Sequence, residues 1–339
     1  MVSKTKTVLS HEVINRLVKA NFGELSEVAT IKELTEGWFN AIYVLGFAKP
    51  VNGFDELVLK AGVQDGKHIL AYEKEIMRTE VMVYQKLAAT DVPVPRVICH
   101  DFSHKLIDCD YFFMEKLQGQ TWEKLKDSLA PENAEQLQYD LGRYTAIIHS
   151  IKGDYFGYIK EDKAYHFSTW REAFHSFLDN LIADGRRGRV DLPYDEILKA
   201  LEPFWDTLDA VKEPSLVNYD MWSKNILLKE SNGQYIIEGI IDHERAFFGD
   251  PIAEYISTST ICGNLEKAKG FQNGYNSIRP FVFGVDEQIR YWIYTVYMGL
   301  LIGVETYRYE ENDIPKFMEM SLHLLNQGLD HLKKLGNSY

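Results

Sequence analysis

The spacing of apolar positions along the chain changes near residue 117. Up to that point, short apolar runs predict strands around 30–34, 41–47 and 56–62, a helix over about 72–87, and two further strands ending at Leu117. Beyond it, apolar residues recur at steps of three and four, as over 134–151, and predict helices through residue 335. The pattern therefore predicts an α+β protein with a small β-rich part, 1–117, and a larger helical part, 118–339.

Two segments of the helical part depart from that simple pattern. Apolar runs at 226–228 and 235–237 flank Ser231-Asn232-Gly233, and Asn-Gly is a strong signal for a tight β-hairpin. The nearly unbroken apolar run from Tyr291 to Val304 covers 14 residues, too few to cross a bilayer. We expect a hairpin at the first segment and a core helix at the second.

Composition and charge exclude several classes of protein. The 339 residues are 45% apolar and 26% charged, which excludes a disordered or fibrous chain. The net charge of −13 argues against nucleic acid or an anionic membrane as a partner. Cys99, Cys109 and Cys262 form no CxxC pair, and the first ten residues lack the apolar core of a signal peptide. We expect a cytoplasmic protein without a disulfide framework.

Three polar residues around the predicted hairpin could carry chemistry. Asp220 and Asn225 precede its first strand, and Asp242 follows its second. A lone Asp-x-x-x-x-Asn is more often a capped turn, but a hairpin would bring its entry and exit side by side. Phosphoryl transfer needs a carboxylate that orients the attacking hydroxyl, together with oxygen ligands for Mg²⁺. The three residues together favour that reaction.

These residues belong to a wider set that resembles a known family. The segments Asn218-Tyr219-Asp220, Asn225, Ile241-Asp242 and Gly249-Asp250-Pro251 resemble the motifs of the aminoglycoside phosphotransferase and choline kinase family. That resemblance implies a bilobal, protein-kinase-like fold, ATP and Mg²⁺ as cofactors, Asp220 as catalytic base, and Asn225 and Asp242 as metal ligands. Asn218 stands where the family usually has a scaffolding histidine, and its side chain, both donor and acceptor, could take over that role.

Lys60 and Glu80 form a second candidate pair. Alternation in the strand 56–62 puts Lys60 on the face opposite Leu59, where it could face a cleft or solvent. Glu80 lies inside the apolar stripe of the predicted helix, where an unpaired carboxylate would be costly. We therefore expect the two to pair. The family resemblance implies that such a lysine reaches the nucleotide phosphates.

Weaker signals complete the predicted nucleotide site. By resemblance, the segment 111–119 connects the two parts, and the Glu115 carbonyl and Leu117 amide read the adenine. The segment 36–40, with Gly37 and Asn40, would cover the phosphates, although its single glycine equally suits an ordinary hairpin turn. We assign Asp250 a structural role as a helix N-cap, and expect Glu254 to begin an acidic helix face.

Alternatives remain for the function. Only seven residues separate Asp242 from Asp250, which leaves no room for the activation segment of a protein kinase. A nucleotide-binding regulatory module without catalysis is a second possibility.

Residues 118–339 carry a charge of −11 against −2 for 1–117, so we expect a cationic hydroxylated acceptor, such as an amino sugar or aminoglycoside. A solubilising acidic surface, or a choline, homoserine or sugar kinase, remains open, and so does the oligomeric state.

Overall fold

The computed structural model describes residues 6–35, 39–64 and 66–336. Its N-terminal part contains an antiparallel sheet in the order β1-β2-β3-β5-β4 and two helices. These are α1 (His11–Phe22), β1 (Val28–Leu34), β2 (Ala41–Val51), β3 (Phe54–Ala61), α2 (Ile76–Leu87), β4 (Val97–Asp101) and β5 (Tyr111–Glu115). One sheet face packs on α1 and the other on α2, each through a buried apolar cluster. The predicted strands are confirmed.

Two details differ from the sequence-based prediction. Helix α1, which begins after the N-cap Ser10, was not predicted. The helix predicted over 72–87 is interrupted, because a 3₁₀ turn at Ala71–Glu73 precedes α2. Glu75 between them has a φ of 58°, in the left-handed region, which ends the first turn and starts the second helix in a new direction.

The C-terminal part is mainly helical, as predicted, and surrounds one large apolar core. Its helices are α3 (Trp122–Leu125), α4 (Pro131–Ser150), α5 (Trp170–Arg187), α6 (Tyr194–Leu201), α7 (Tyr255–Cys262), α8 (Lys269–Asn276), α9 (Val285–Glu305) and α10 (Ile314–Gly336). Its strands are β6 (Gln120–Thr121), β7 (Gly157–Tyr158), β8 (Ser215–Val217), β9 (Ile226–Ser231), β10 (Gln234–Ile240) and β11 (Phe247–Gly249). They form two small sheets, β10-β9-β6 and β7-β11-β8.

The hairpin and the core helix are both present. Asn232 and Gly233 join β9 to β10 with φ values of 53° and 80°, the two left-handed residues that a tight hairpin turn requires. Helix α9 is buried along most of its length. Within the described ranges, we find no helix with the length and apolar character needed to traverse a bilayer.

Buried polar contacts fix the turn before α2 against the helical part. The Ala71 amide donates to Asp184 at 2.6 Å, and the Ala71 carbonyl accepts from the Lys160 ammonium at 2.9 Å. Glu73 and Arg308, both buried, form an ion pair. Since this turn leads directly into α2, these contacts set the position of Glu80 relative to the helical part.

Candidate active site

Lys60 lies at the centre of the candidate site. Strand β3 presents its side chain on the α2 side of the sheet, where it is 3% exposed. Its Nζ is 2.7 Å from Glu80 Oε2 on α2, so the predicted pair is present. The same Nζ lies 2.7 Å from Asp242 Oδ1 and 3.0 Å from Glu244 Oε2, both in the segment after β10. The ammonium group of Lys60, on the sheet, thus contacts carboxylates from both α2 and the segment after the hairpin.

The carboxylates around Lys60 outnumber its single positive charge. Oxygen atoms of Glu80, Asp242 and Glu244 lie within 4.8 Å of one another. Burial, and then the neighbouring charge of Asp242, raises the pKa of Glu244 to about 7. An added cation would relieve this excess of negative charge. Mg²⁺ prefers such hard oxygen ligands, so the residues fit a magnesium ion.

Asp220 lies in the loop between β8 and β9. Its Oδ1 accepts a hydrogen bond from Trp222 Nε1 at 2.7 Å, and its Oδ2 accepts from Asn225 Nδ2 at 2.9 Å. Burial raises the pKa of Asp220 to about 7, against the opposing effect of Arg245, whose Nε is 3.7 Å away. Two donors therefore orient a carboxylate whose proton affinity suits acid–base work near neutral pH.

The hairpin joins the Asp220 loop to the carboxylates around Lys60. The Ile241 amide donates to the Asn225 carbonyl at 2.9 Å, so the entry and exit of the hairpin are neighbours. Asn225 and Asp242, the two predicted metal ligands, are thus brought to one end of the hairpin. Their role as ligands stays a prediction.

Glu254 holds the backbone of the Asp220 loop. Its carboxylate accepts from the Asn218 amide at 2.6 Å and from the Tyr219 amide at 3.0 Å. The side chain is fully buried, so the expectation that it begins an acidic helix face is wrong. The Asn218 side chain does not take the scaffolding role, because neither of its polar atoms has a partner among the described residues.

The remaining predicted site residues lie at the edges of this arrangement. Asn40 Nδ2 donates to Glu244 Oε2 at 2.5 Å, which ties the start of β2 to the carboxylates. Gly37 lies outside the described residues. Glu115 ends β5, and Leu117 follows in the segment that leads to β6. The roles assigned to these residues toward a nucleotide remain predictions.

The structural role expected for Asp250 is confirmed. Asp250 caps the turn after β11 by accepting from the Ile252 amide at 3.1 Å, and it also pairs with Arg290. Trp170, 1% exposed, begins α5 and stacks on Phe247.

Sequence reasoning assigned no role to Glu244, Arg245 or Trp222. All three adjoin the motifs, since Trp222 lies two residues after Asp220 and the other two follow Asp242 closely. Arg245 contacts both Asp220 and Glu305, the latter at 2.7 Å. Their position beside the motifs was the available signal, but side-chain direction in these loops was not predictable from spacing.

The chain matches the profile of a known family. Residues 30–281 match the profile described as the phosphotransferase enzyme family, and the chain belongs to that family. It is thus an enzyme of the phosphotransferase class, and the earlier resemblance is confirmed. No curated protein matches the sequence.

Solved structures of low sequence identity share the fold. The gentamicin complex of aminoglycoside phosphotransferase APH(2″)-IIa is 17% identical, with a TM-score of 0.60 over 95% of this chain and 97% of that one. A thermostable mutant of APH(4)-Ia, in a ternary complex with AMP-PNP and hygromycin B, is also 17% identical, with a TM-score of 0.60 over 96% and 98%. A candidate fructosamine-3-kinase from Thermobifida fusca is 18% identical, with a TM-score of 0.59 over 91% and 98%. The α+β kinase-like fold expected from the sequence is therefore confirmed.

Proposed function

We propose that the protein transfers the γ-phosphate of ATP to a hydroxyl group of a small cationic molecule, in a reaction that requires Mg²⁺. The observation that carries this proposal is the position of Asp220, held by two hydrogen-bond donors at the entry of a hairpin, next to the exit where Asp242 contacts Lys60. Nucleotide complexes among the structural neighbours support ATP as the donor. The acceptor hydroxyl would lose its proton to Asp220 as it attacks.

The nucleotide would bind to residues 1–117 and face residues 118–339. Lys60, oriented by Glu80, would contact its phosphates, and Asn40 and Gly37 would cover them. The backbone carbonyl of Glu115 and the amide of Leu117 would hydrogen-bond the adenine. The ion pair with Glu80 supports the role of Lys60, and the hydrogen bond to Glu244 supports that of Asn40. The roles of Gly37, Glu115 and Leu117 rest on the family resemblance.

Asn225 and Asp242 would hold the metal, and Glu244 is a further oxygen donor beside Asp242. When bound, Mg²⁺ would neutralise phosphate charge and fix the phosphates in place. Independently of the metal, Asn225 fixes one oxygen of Asp220 and Trp222 fixes the other. The carboxylate is therefore oriented before any substrate arrives.

A cationic acceptor is favoured by the charge of −11 on residues 118–339. Neighbouring structures bind gentamicin and hygromycin B, which are aminoglycosides. Exposed carboxylates that attract a polyamine would give an acceptor KM that rises steeply with ionic strength. Salt dependence of KM is therefore a direct test of this part of the proposal.

The test of the function is a transfer assay with purified protein, Mg²⁺ and ATP labelled at the γ-phosphate. The acceptors are gentamicin, hygromycin B, a fructosamine, choline, homoserine and neutral sugars. Asp220→Ala should lower turnover by about 10²–10⁴-fold and leave ATP affinity nearly unchanged. Asp127→Ala, at an exposed aspartate, is the matched control.

Three outcomes would each contradict a part of the proposal. Full turnover in the Asp220→Ala variant would exclude Asp220 as the base. Tight ATP binding without transfer to any acceptor would favour the regulatory module. A best acceptor that is neutral or anionic would refute only the charge argument.

A further inference from the structure

Tyr219, next to the proposed base, combines two unfavourable features. Its φ of 64° lies in the left-handed region, which costs energy for a bulky side chain. Its side chain is 4% exposed, and its hydroxyl has no hydrogen-bond partner among the described residues. A buried polar group without a partner destabilises a folded protein. The ring packs against Phe247 and Tyr297, but the folded state gives no reason for a tyrosine hydroxyl here in preference to phenylalanine.

The Tyr219 ring forms part of the wall of a cavity that adjoins the reaction site. About 250 Å³ of empty space, partly open to solvent, is lined by Tyr219, Tyr72, Tyr158, Phe247, Tyr297 and Arg245, among others. Arg245 in the cavity wall lies 3.7 Å from Asp220, and Tyr219 precedes Asp220 in the chain, so two residues of the wall adjoin the proposed base. Only about 10 Å³ of this space is open to the centre of a water-sized group, so the cavity has room for one hydroxyl-sized part of an acceptor molecule.

The polar side chains of the cavity wall differ in whether they have a hydrogen-bond or ion-pair partner. Tyr158 and Tyr297 pair their hydroxyls with each other at 3.1 Å, and Tyr72 donates to Glu305. Arg245 is paired with Glu305 and Asp220. Of the cavity tyrosines in the described ranges, Tyr219 alone keeps an unused hydroxyl. Burial raises the pKa of that phenol well above its ordinary value, so it stays protonated and can donate.

We propose that the Tyr219 hydroxyl binds the acceptor, by donating a hydrogen bond to an uncharged oxygen-bearing group of the substrate that enters this cavity. The proposal rests on the phosphotransfer function proposed above and assigns Tyr219 a part in acceptor specificity. A cationic group is disfavoured because the one formal charge of the cavity wall, on Arg245, is positive, and an anionic group is disfavoured because Arg245 is already paired with Glu305 and Asp220. The cationic group of the acceptor would bind outside this cavity.

The test compares Tyr219→Phe with the wild type and with Tyr194→Phe. Tyr194 is a buried tyrosine of α6 whose hydroxyl donates to the Val190 carbonyl at 2.9 Å. Without ligand, Tyr219→Phe should raise the Tm by roughly 2 °C because it removes an unpaired polar group, whereas Tyr194→Phe should lower it. If the Tyr219 hydroxyl is used only in the complex, its removal should stabilise the free protein and weaken the binding of the ligand.

Binding is measured without ATP, by ligand-observed NMR titration with 1,2-propanediol and with tetramethylammonium. The dissociation constant for 1,2-propanediol should be about 3- to 10-fold higher in Tyr219→Phe than in the other two proteins. An unchanged constant, a lower Tm for Tyr219→Phe, or preferential binding of tetramethylammonium would each overturn the proposal. These outcomes are independent of the transfer assay, so failure here leaves the phosphotransfer function standing.

Discussion

Replacing Glu254 by glutamine should loosen the loop that carries Asp220. Both oxygens of this buried carboxylate accept backbone amides, from Asn218 at 2.6 Å and from Tyr219 at 3.0 Å. Glutamine keeps the size of the side chain but has one oxygen and one NH₂ group. It can accept from only one of the two amides and presents a donor to the other.

The cost follows from these contacts. A hydrogen bond to a charged group contributes about 1.5–3 kcal/mol, and a buried donor left unpaired costs about 1–3 kcal/mol. We expect Glu254→Gln to lower the free energy of unfolding by about 2–4 kcal/mol. Because a displacement of about 1 Å at a reacting group costs on the order of 100-fold in rate, kcat should fall by about 10- to 100-fold. The KM for ATP should change little, since Glu254 contacts none of the residues assigned to the nucleotide.

Urea unfolding and steady-state kinetics on the same protein samples measure both effects. Glu196→Gln, at an exposed glutamate of α6, is the matched control and should leave stability and kcat at their wild-type values. A Glu254→Gln protein as stable and active as the wild type would refute the proposed role of Glu254 in the loop. A loss of stability with unchanged kcat would show that the hydrogen bonds of Glu254 stabilise the fold but do not determine the activity of Asp220.

Three further substitutions test other parts of the site. Asp242→Ala should abolish Mg·ATP binding in isothermal titration calorimetry, and wild-type affinity would show that the metal assignment is wrong. Asn225→Ala should raise the Mg²⁺ concentration needed for half-maximal turnover; an unchanged magnesium titration would remove Asn225 from the ligands. Asn218→His should leave kcat similar or modestly higher, because the Asn218 side chain makes no hydrogen bond to any residue that the structure describes. Complete loss of turnover would show that the loop depends on Asn218 itself.

Local patterns were sufficient for the parts of the site that lie on regular elements. Strand alternation put Lys60 on the sheet face opposite Leu59, and helical spacing put Glu80 in a buried stripe where it needed a partner, so their ion pair could be predicted. The hairpin could be predicted from Asn232 and Gly233, because those residues readily adopt the left-handed conformations of a tight turn. In each case the conformation depends on residues that are only a few positions apart in the sequence.

Glu254 and Glu244 could not be assigned in the same way. A glutamate near the start of a helix is ordinarily exposed, and Glu254 is buried because it meets amides 35 and 36 residues earlier in the chain. Glu244 faces Lys60 and Asn40 across more than 180 residues. Such partners become apparent only when the chain is folded, whatever the local pattern.

The site is also connected to the start of α2 through buried charges. Arg245 contacts Asp220 and Glu305, Glu305 accepts from Tyr72 in the turn before α2, and that turn leads to Glu80. Since breaking a buried charge pair by removing one partner is costly, the two ends of this chain of contacts are not free to move independently. The position of the proposed base and the position of the Lys60 partner are therefore set by one continuous group of side chains, although they come from different parts of the sequence.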